Sequence, residues 1–300
     1  IFQCIERPSI PMTQYLMESC DLTLATGGKP MVQAAYSSGK PAYGVGAGNS
    51  TIVVDATADL NEAAKNIMIS KTSDFGSGCS ADGNIVIQKS IYSNMVSQLK
   101  ANNGYLCNST QTKLLSRVMW DDKENRTFST IACRPQQLAL LAGFEIPENI
   151  KFLMVENNGK IGKEHKFSKE KLTTLMALYY FDDFPDALNI IQKIYEVGGK
   201  GHSCGIYSNS DKNIDALARV APVSRMMVRQ PQSKSNAGSW VNGMPMTSSL
   251  GCGIWGGNIT NENVTMKHMM NYTWVSRPIQ EDRPSEIELF GEFFGQEFAL

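Results

Sequence analysis

Two spacings of hydrophobic residues alternate along this chain, and the first sixty residues show both. Residues 21–25 (Asp-Leu-Thr-Leu-Ala) read as a short strand running into Thr26-Gly27-Gly28. Pro30 then stands where a helix begins, and 31–38 carry apolar residues at helical spacing. Gly39 suits the end of that helix, and Pro41 prevents its continuation. Strand candidates follow at 42–46 and 51–55 around a glycine-rich joint. The order strand, glycine turn, helix, strand predicts a βαβ unit of a parallel sheet, and hence an α/β fold.

Farther along, 60–70 forms an amphipathic helix pattern with Leu60, Ala63, Ala64, Ile67 and Met68 on one face. A strand is predicted at 84–88 and a helix at 91–100, while 105–126 is polar and mixed, a loop with a short helix. A second alternation then runs through strand 151–156, helix 185–197, strand 203–207, helix 211–218 and strand 224–229. From 230 to 263 the chain is rich in Gly, Ser and Asn, which predicts a long ordered loop region. The last stretch, 280–300, is acidic and ends in an aromatic-rich, helix-like run, a docking tail or a partly disordered appendix. No internal repeat is visible.

Composition narrows the class. With 300 residues the length suits about two domains of roughly 150 residues. Lys and Arg number 28 against 29 Asp and Glu, a net charge of −1, which excludes a polybasic nucleic-acid binder or a charge-driven membrane-surface protein. A hydrophobic fraction of 42% with 19% charged residues supports a full core. No apolar run approaches the ~18 residues of a membrane span. The start, Ile1-Phe2-Gln3-Cys4, carries neither an initiator Met nor a signal pattern and reads as the interior of something larger.

The 7 cysteines are odd in number, irregularly spaced and without a Cys-x-x-Cys pair, which favours the cytoplasm over a disulfide scaffold or zinc ribbon. Asn-x-Ser/Thr triplets at Asn49, Asn108, Asn125, Asn258, Asn263 and Asn271 would fit secretion. Free thiols sit badly with that, and the cytoplasmic reading is taken. His165, His202 and His268 are far apart without His-Glu-x-x-His spacing, so no metal site is expected.

The residue most suggestive of chemistry is Cys79, crowded by small residues in Phe75-Gly76-Ser77-Gly78-Cys79-Ser80-Ala81 between a helix and a strand. A reactive thiolate needs access and nearby N–H groups to hold a developing oxyanion, and such neighbours permit both. The plain alternative is a small buried apolar side chain. Gly27-Gly28, after a strand and before a helix, could offer N–H donors to a phosphate or form an ordinary tight turn. His202, in Gly198-Gly199-Lys200-Gly201-His202-Ser203, is either a general base or ligand contact, or a loop histidine at the start of a strand.

Several stretches in order resemble the coenzyme A-acylating branch of the aldehyde dehydrogenase superfamily. They are Leu24-Ala25-Thr26-Gly27-Gly28, Tyr36-Ser37-Ser38-Gly39-Lys40-Pro41-Ala42 and Gly44-Val45-Gly46-Ala47-Gly48-Asn49, then Ser70-Lys71-Thr72 with Cys79. The Gly198-Gly199-Lys200-Gly201-His202 loop follows, and last Leu250-Gly251-Cys252-Gly253-Ile254-Trp255-Gly256-Gly257-Asn258 leading to Glu262-Asn263-Val264. The resemblance runs from about Pro8 to Pro278.

It implies parallel sheets with flanking helices, lacking the N-terminal part of the nucleotide-binding domain. Residues 1–49 are then the rest of that domain, 50–278 the catalytic domain and 279–300 a C-terminal tail. Cys79 matches the nucleophile that attacks an aldehyde, gives up a hydride to NAD or NADP and passes its acyl group to coenzyme A. Thr26, Gly27, Gly28 and Gly46 match the cofactor-facing turns. Glu170 resembles the glutamate that holds the nicotinamide ribose, although Thr173-Thr174 replace the usual residues leading into a proline. His202 matches a histidine of the acylating branch near the acyl-transfer step. A homo-oligomer working on a small aldehyde and coenzyme A, without nucleic acid or membrane, is implied.

Hydrolytic relatives carry Glu-Leu-Gly-Gly where this chain has Val45-Gly46-Ala47-Gly48, so their water-activating base is missing. A thioester resists neutral water but exchanges with a thiol, so transfer to coenzyme A stays open. The family's first strands and its oxyanion-hole asparagine have no counterpart before Ile1; a fragment with an exposed sheet edge and weak or absent activity in isolation is expected. The rival readings are a hydrolytic dehydrogenase and a non-catalytic scaffold. A catalytic Cys79 is expected to have a low pKa and to alkylate before the other thiols. Ser73, Ser77, Gly78 and Ser80 suggest a small polar-walled pocket for a short anionic aldehyde. Residues 70–84 look most like the sulfoacetaldehyde members, with acetaldehyde and succinate semialdehyde open.

Overall fold

The computed structural model describes residues 2–294. It divides into a compact unit reaching His268 and a separate short stretch from Met269 onward. The first unit holds two parallel sheets. β1 (Thr23–Thr26) and β2 (Ala42–Val45) form the small one, joined through α2 (Lys29–Tyr36) and preceded by α1 (Ile10–Ser19). The large sheet contains β3 (Thr51–Val54), β4 (Asn84–Gln88), β5 (Gly104–Leu106), β6 (Phe152–Glu156), β7 (Leu175–Phe181), β8 (Gly201–Tyr207) and β9 (Val223–Val228). Its order is β5-β6-β7-β4-β3-β8-β9, every neighbouring pair parallel.

Helices cover both faces, so alternate residues of the central strands enter different cores. Ile52, Ile85, Ile87 and Leu178 pack with Ala63, Ala64 and Ile67 of α3 (Leu60–Thr72) and with Met95 and Leu99 of α4 (Tyr92–Ala101). On the other face Val53, Val86, Leu153 and Ala177 meet α5 (Ser109–Met119), α6 (Pro135–Leu141), α7 (Phe184–Val197) and α8 (Asp211–Val220).

Four elements escape the sequence pattern. α1 buries only Met17 and leaves Ile10, Tyr15 and Leu16 exposed, so it has no single apolar stripe to read. The stretch 105–126, expected as loop with a short helix, ends β5 and then forms the full helix α5, whose Asn108–Gln111 capping box sets its start. α6 is too short for its period to stand out. β7 lies inside the sheet, between β6 and β4, and is apolar on both faces, so it shows neither period. The glycine-rich 230–263 is ordered loop as expected, with α9 (Gln232–Ser235), a 3-10 turn at Ile254–Gly256 and a bridge between Leu250 and Asn263.

The triplet asparagines Asn49, Asn258 and Asn263 are buried, which closes those three to glycosylation in the folded chain. The short stretch carries α10 (Glu286–Phe290) and a 3-10 turn at Gly291–Phe293 within the expected aromatic run; Ile1 and 295–300 lie outside the described residues. No helix among the described residues is long and apolar enough to cross a membrane.

If β7 holds the core together, Leu178→Ala, at a position with 0% exposure, costs about 2–5 kcal/mol in urea unfolding. Leu140→Ala, at 70% exposure, stays within about 0.5 kcal/mol. Equal losses at the two sites would contradict the placement of β7.

Candidate active site

Parallel pairing brings the starts of the central strands to one edge of the large sheet. Thr51 of β3 is level with Asn84 of β4 and Cys204 of β8, and Asn84 is level with Ala177 of β7. The segments entering these strands therefore converge: 46–50 before β3, 77–83 before β4, 168–174 before β7 and 198–201 before β8. Residues 46–50 also leave the far end of β2, so the small sheet's carboxyl edge faces the same place.

Backbone packing there leaves no space for side chains. A Cβ on Gly48 would stand 1.9 Å from the Cys79 carbonyl oxygen, so the two segments touch main chain to main chain. Gly201, at φ +86°, lies equally close to Cys252, whose carbonyl oxygen would be 1.9 Å from a Cβ. Only glycine meets both the space and the left-handed conformation at that position.

Cys79 follows a 3-10 turn at Ser73–Gly76 and is half-buried. Its Sγ lies 2.9 Å from Nε2 of His202, which is fully buried in β8, while Nδ1 of that ring lies 2.9 Å from Ser203 Oγ. Burial and the nearby Arg225 guanidinium push His202 down to about 3, so the imidazole is neutral at physiological pH. Burial, with Glu170 and Cys252 beside it, pushes the Cys79 thiol up to about 12. The expectation of a low-pKa thiolate is thus corrected. The resting pair is a thiol facing a neutral imidazole, because burial disfavours both charged forms and no imidazolium is there to hold a thiolate.

Arg225 of β9 fixes the surrounding main chain. Its Nη2 donates to the carbonyls of His202 at 3.1 Å and Gly251 at 2.8 Å, and its Nη1 donates to that of Asn261 at 3.2 Å. Glu170 points into the joint, where its Oε1 accepts the Gly48 N–H at 3.0 Å. Burial raises that carboxyl to about 7 against the pull of Gly48 and the lysines. Thr173 and Thr174, which stand in for the usual residues, tie this segment to Cys133: Thr173 Oγ1 accepts the Cys133 N–H, and Thr174 Oγ1 donates to its carbonyl at 2.9 Å.

A polar layer lies beneath. Lys171 Nζ donates to Asn84 Oδ1 at 2.5 Å, Asn84 Nδ2 to Asn49 Oδ1 at 2.9 Å, and Asn49 Nδ2 to the Ser168 carbonyl at 2.8 Å. This chain joins the segments entering β3, β4 and β7. Burial lowers Lys71 to about 7 and raises Asp82 to about 7, and Gln232 Nε2 donates to Asp82 Oδ1 at 2.8 Å.

The cofactor candidates divide between two clefts. Gly46 and Ala47 line one of about 580 Å³ with Lys29, Tyr36, Gly199, Lys200 and Trp255. The Tyr36 hydroxyl accepts the Gly44 and Ile259 N–H groups, leaving its own proton to be donated. Gly28 lines an apolar cleft of about 660 Å³ between α1 and α2 with Ser9, Thr13, Met17 and Met31. Thr26 is exposed at the end of β1, and the Gly27 N–H is taken by the Val45 carbonyl at 3.2 Å. The free donors at this turn are thus fewer than the double glycine suggests, since Pro30 has none.

The structure therefore joins Cys79, His202 and Glu170 around Gly48, and sets Thr26, Gly27 and Gly28 along the small sheet's edge. Sequence reasoning missed Ser203, Arg225 and the Lys171–Asn84–Asn49 chain. Each is a common polar residue without a local motif, and only strand pairing brings them together. Among the described residues no group of His, Cys, Asp and Glu could hold a metal ion.

The Gly48 contact predicts that Gly48→Ala displaces Cys79 and slows its alkylation by iodoacetamide at least about tenfold; an unchanged rate would contradict the contact. In His202→Gln, which lacks the base, labelling of Cys79 over pH 8–11 is expected to rise about tenfold per pH unit, because thiolate is scarce below about 12. A plateau by pH 9 in that variant would instead reveal a thiol of low pKa.

The chain is similar to known proteins in sequence and in fold. The Aldehyde dehydrogenase family matches residues 23–107. A sulfoacetaldehyde dehydrogenase of an Acholeplasma species is 40% identical over 98% of this chain and 61% of its own length. The acylating sulfoacetaldehyde dehydrogenase of Bilophila wadsworthia is 37% identical, with 98% and 64% covered. The crystal structure of an acetylating aldehyde dehydrogenase from Geobacillus thermoglucosidasius superposes with a TM-score of 0.89 at 35% identity, over 94% of this chain and 62% of that one. The chain thus spans about three fifths of the length of the curated relatives it matches. In sequence and in fold the chain is thus similar to aldehyde dehydrogenases, acylating members among them.

Proposed function

We propose that the protein oxidises a short aldehyde and passes the acyl group to coenzyme A through a thioester on Cys79. The observation that carries this reading is the 2.9 Å contact between Sγ of the half-buried Cys79 and Nε2 of His202. Neutral His202 takes the thiol proton as Cys79 attacks the carbonyl carbon, giving a thiohemiacetal. A bound nicotinamide coenzyme supplies the hydride acceptor that turns this adduct into the thioester. His202 releases that first proton to solvent, coenzyme A then attacks the thioester carbonyl, and the again neutral His202 accepts the coenzyme A thiol proton. The Cys79 sulfur leaves as thiolate and takes the proton back.

The clefts fit the coenzymes by chemistry. Lys29 and Lys200 suit phosphates at the rim of the first cleft, and Tyr36 has a proton to donate there. The apolar walls of the second suit a flat ring. On this reading Thr26, Gly27, Gly28 and Gly46 bind NAD or NADP, and residues 1–49 belong to the nucleotide-binding domain, 50–278 to the catalytic one and 279–300 to a tail. Glu170 contacts the nicotinamide ribose with the oxygen not bonded to Gly48. Sulfoacetaldehyde is the substrate we favour, from the two relatives named for it and the small polar residues around Cys79. A homo-oligomer follows from the family resemblance. All 7 cysteines are free, which suits a reducing cytoplasm.

Hydrolysis to a free acid is disfavoured because 45–48 carry no carboxylate and Glu170, which reaches this stretch, is bonded to the Gly48 amide. Presented with sulfoacetaldehyde, NAD⁺ or NADP⁺ and coenzyme A, the full-length enzyme is expected to yield an acyl-CoA and reduced nicotinamide. Cys79→Ala lowers this rate about a thousandfold or more. Wild-type turnover by that variant, or free acid formed at full rate without coenzyme A, would overturn the reading.

A further inference from the structure

The geometry points to Ser203 as the residue that orients His202 and fixes its tautomer, so that Nε2 is left to accept the Cys79 proton. The assignment deepens the reading of Cys79 as a nucleophile and rests on it.

Consecutive residues of a strand direct their side chains to opposite faces, so neighbours along a strand do not ordinarily meet. His202 and Ser203 do meet, with Nδ1 and Oγ 2.9 Å apart. Gly201, at φ +86°, starts β8 in a conformation that departs from a regular strand just before the pair. Both residues show 0% exposure, so water does not compete for either ring nitrogen on this side. The main chain is fixed independently. The His202 N–H donates to the Gly199 carbonyl at 3.2 Å, Arg225 donates to the His202 carbonyl, and the Tyr195 hydroxyl donates to the Ser203 carbonyl at 2.7 Å. With the backbone held, rotation of the ring and the site of its proton remain to be set, and Ser203 Oγ is the group placed to set both.

A neutral imidazole carries one proton. If it sits on Nδ1, that N–H donates to Ser203 Oγ and Nε2 is an acceptor facing the thiol. If it sits on Nε2, the ring faces the thiol with a donor and cannot take the proton. A nucleophile, a base bonded to it and a third group orienting the base is the general arrangement for activating a weak nucleophile. In the resulting step the S–H bond breaks, the proton moves to Nε2 and the sulfur pair attacks carbon. The imidazolium formed keeps its Nδ1–H bond to Ser203, whose oxygen meets the new charge. Cys79 faces the ring and Arg225 lies near it, and Arg225 disfavours that cation, which makes an oxygen acceptor on Nδ1 the more useful.

Nitrogen NMR of the protein labelled with ¹⁵N-histidine tests this without turnover. Wild-type His202, assigned by comparison with His202→Gln, is expected as the Nδ1–H tautomer, and Ser203→Ala as a mixture of both forms. Iodoacetamide labelling of Cys79 at pH 8, followed by peptide mass spectrometry, is expected to slow at least about tenfold in Ser203→Ala while the melting temperature stays close to wild type. A wild-type ring protonated on Nε2, or equal labelling rates in wild type and Ser203→Ala, would overturn the assignment. Because neither readout uses aldehyde or coenzyme, failure of acyl-CoA formation would count against the proposed reaction alone.

Discussion

The contact of main chain against main chain at Gly48 and Cys79 is the constraint on which the site depends. A side chain at position 48 would occupy the place of the Cys79 carbonyl oxygen. The segment leaving the small sheet can thus lie directly against Cys79, and Glu170 secures it there through the Gly48 amide. Gly201 repeats the arrangement on the other side, where the strand carrying His202 passes Cys252. Two glycines set how closely the thiol and the imidazole approach, because each removes the one atom that would hold the segments apart.

Burial then determines the protonation states. Taking Cys79 and His202 out of water raises the thiol and lowers the imidazole, so the pair rests uncharged. The Lys171–Asn84–Asn49 chain below ties three strand entries together and satisfies polar groups that burial would otherwise leave costly. Ligand sites in open parallel sheets usually lie at the carboxyl ends of the strands. Here the large sheet contributes its amino end and the small sheet its carboxyl end, since 46–50 run directly from one to the other.

Much of the fold was legible where one period dominates. The helix 60–70 and the strands near 42–46, 51–55 and 84–88 fall within a residue or two of the observed elements, because each either buries one face or is bounded by glycine and proline. β7 was not, since a strand covered on both faces has no polar partner to mark its period. Cys79 was legible from its small neighbours, and His202 from its glycine loop. The protonation of Cys79 was misjudged, because the shift comes from burial and from Glu170 and Cys252, which are remote in sequence.

By itself the sequence determined the α/β alternation, the candidacy of Cys79 and His202, and the absence of a carboxylate in 45–48. All of these are local, written in residue type and spacing. Only the tertiary structure decided that His202 and Cys79 meet at 2.9 Å, that Ser203 takes the other ring nitrogen and that Glu170 holds Gly48. Those contacts join residues up to 123 positions apart. Strand order in the sheet sets such pairings, and strand order is fixed by which faces bury together, a property of the whole chain that no short stretch contains.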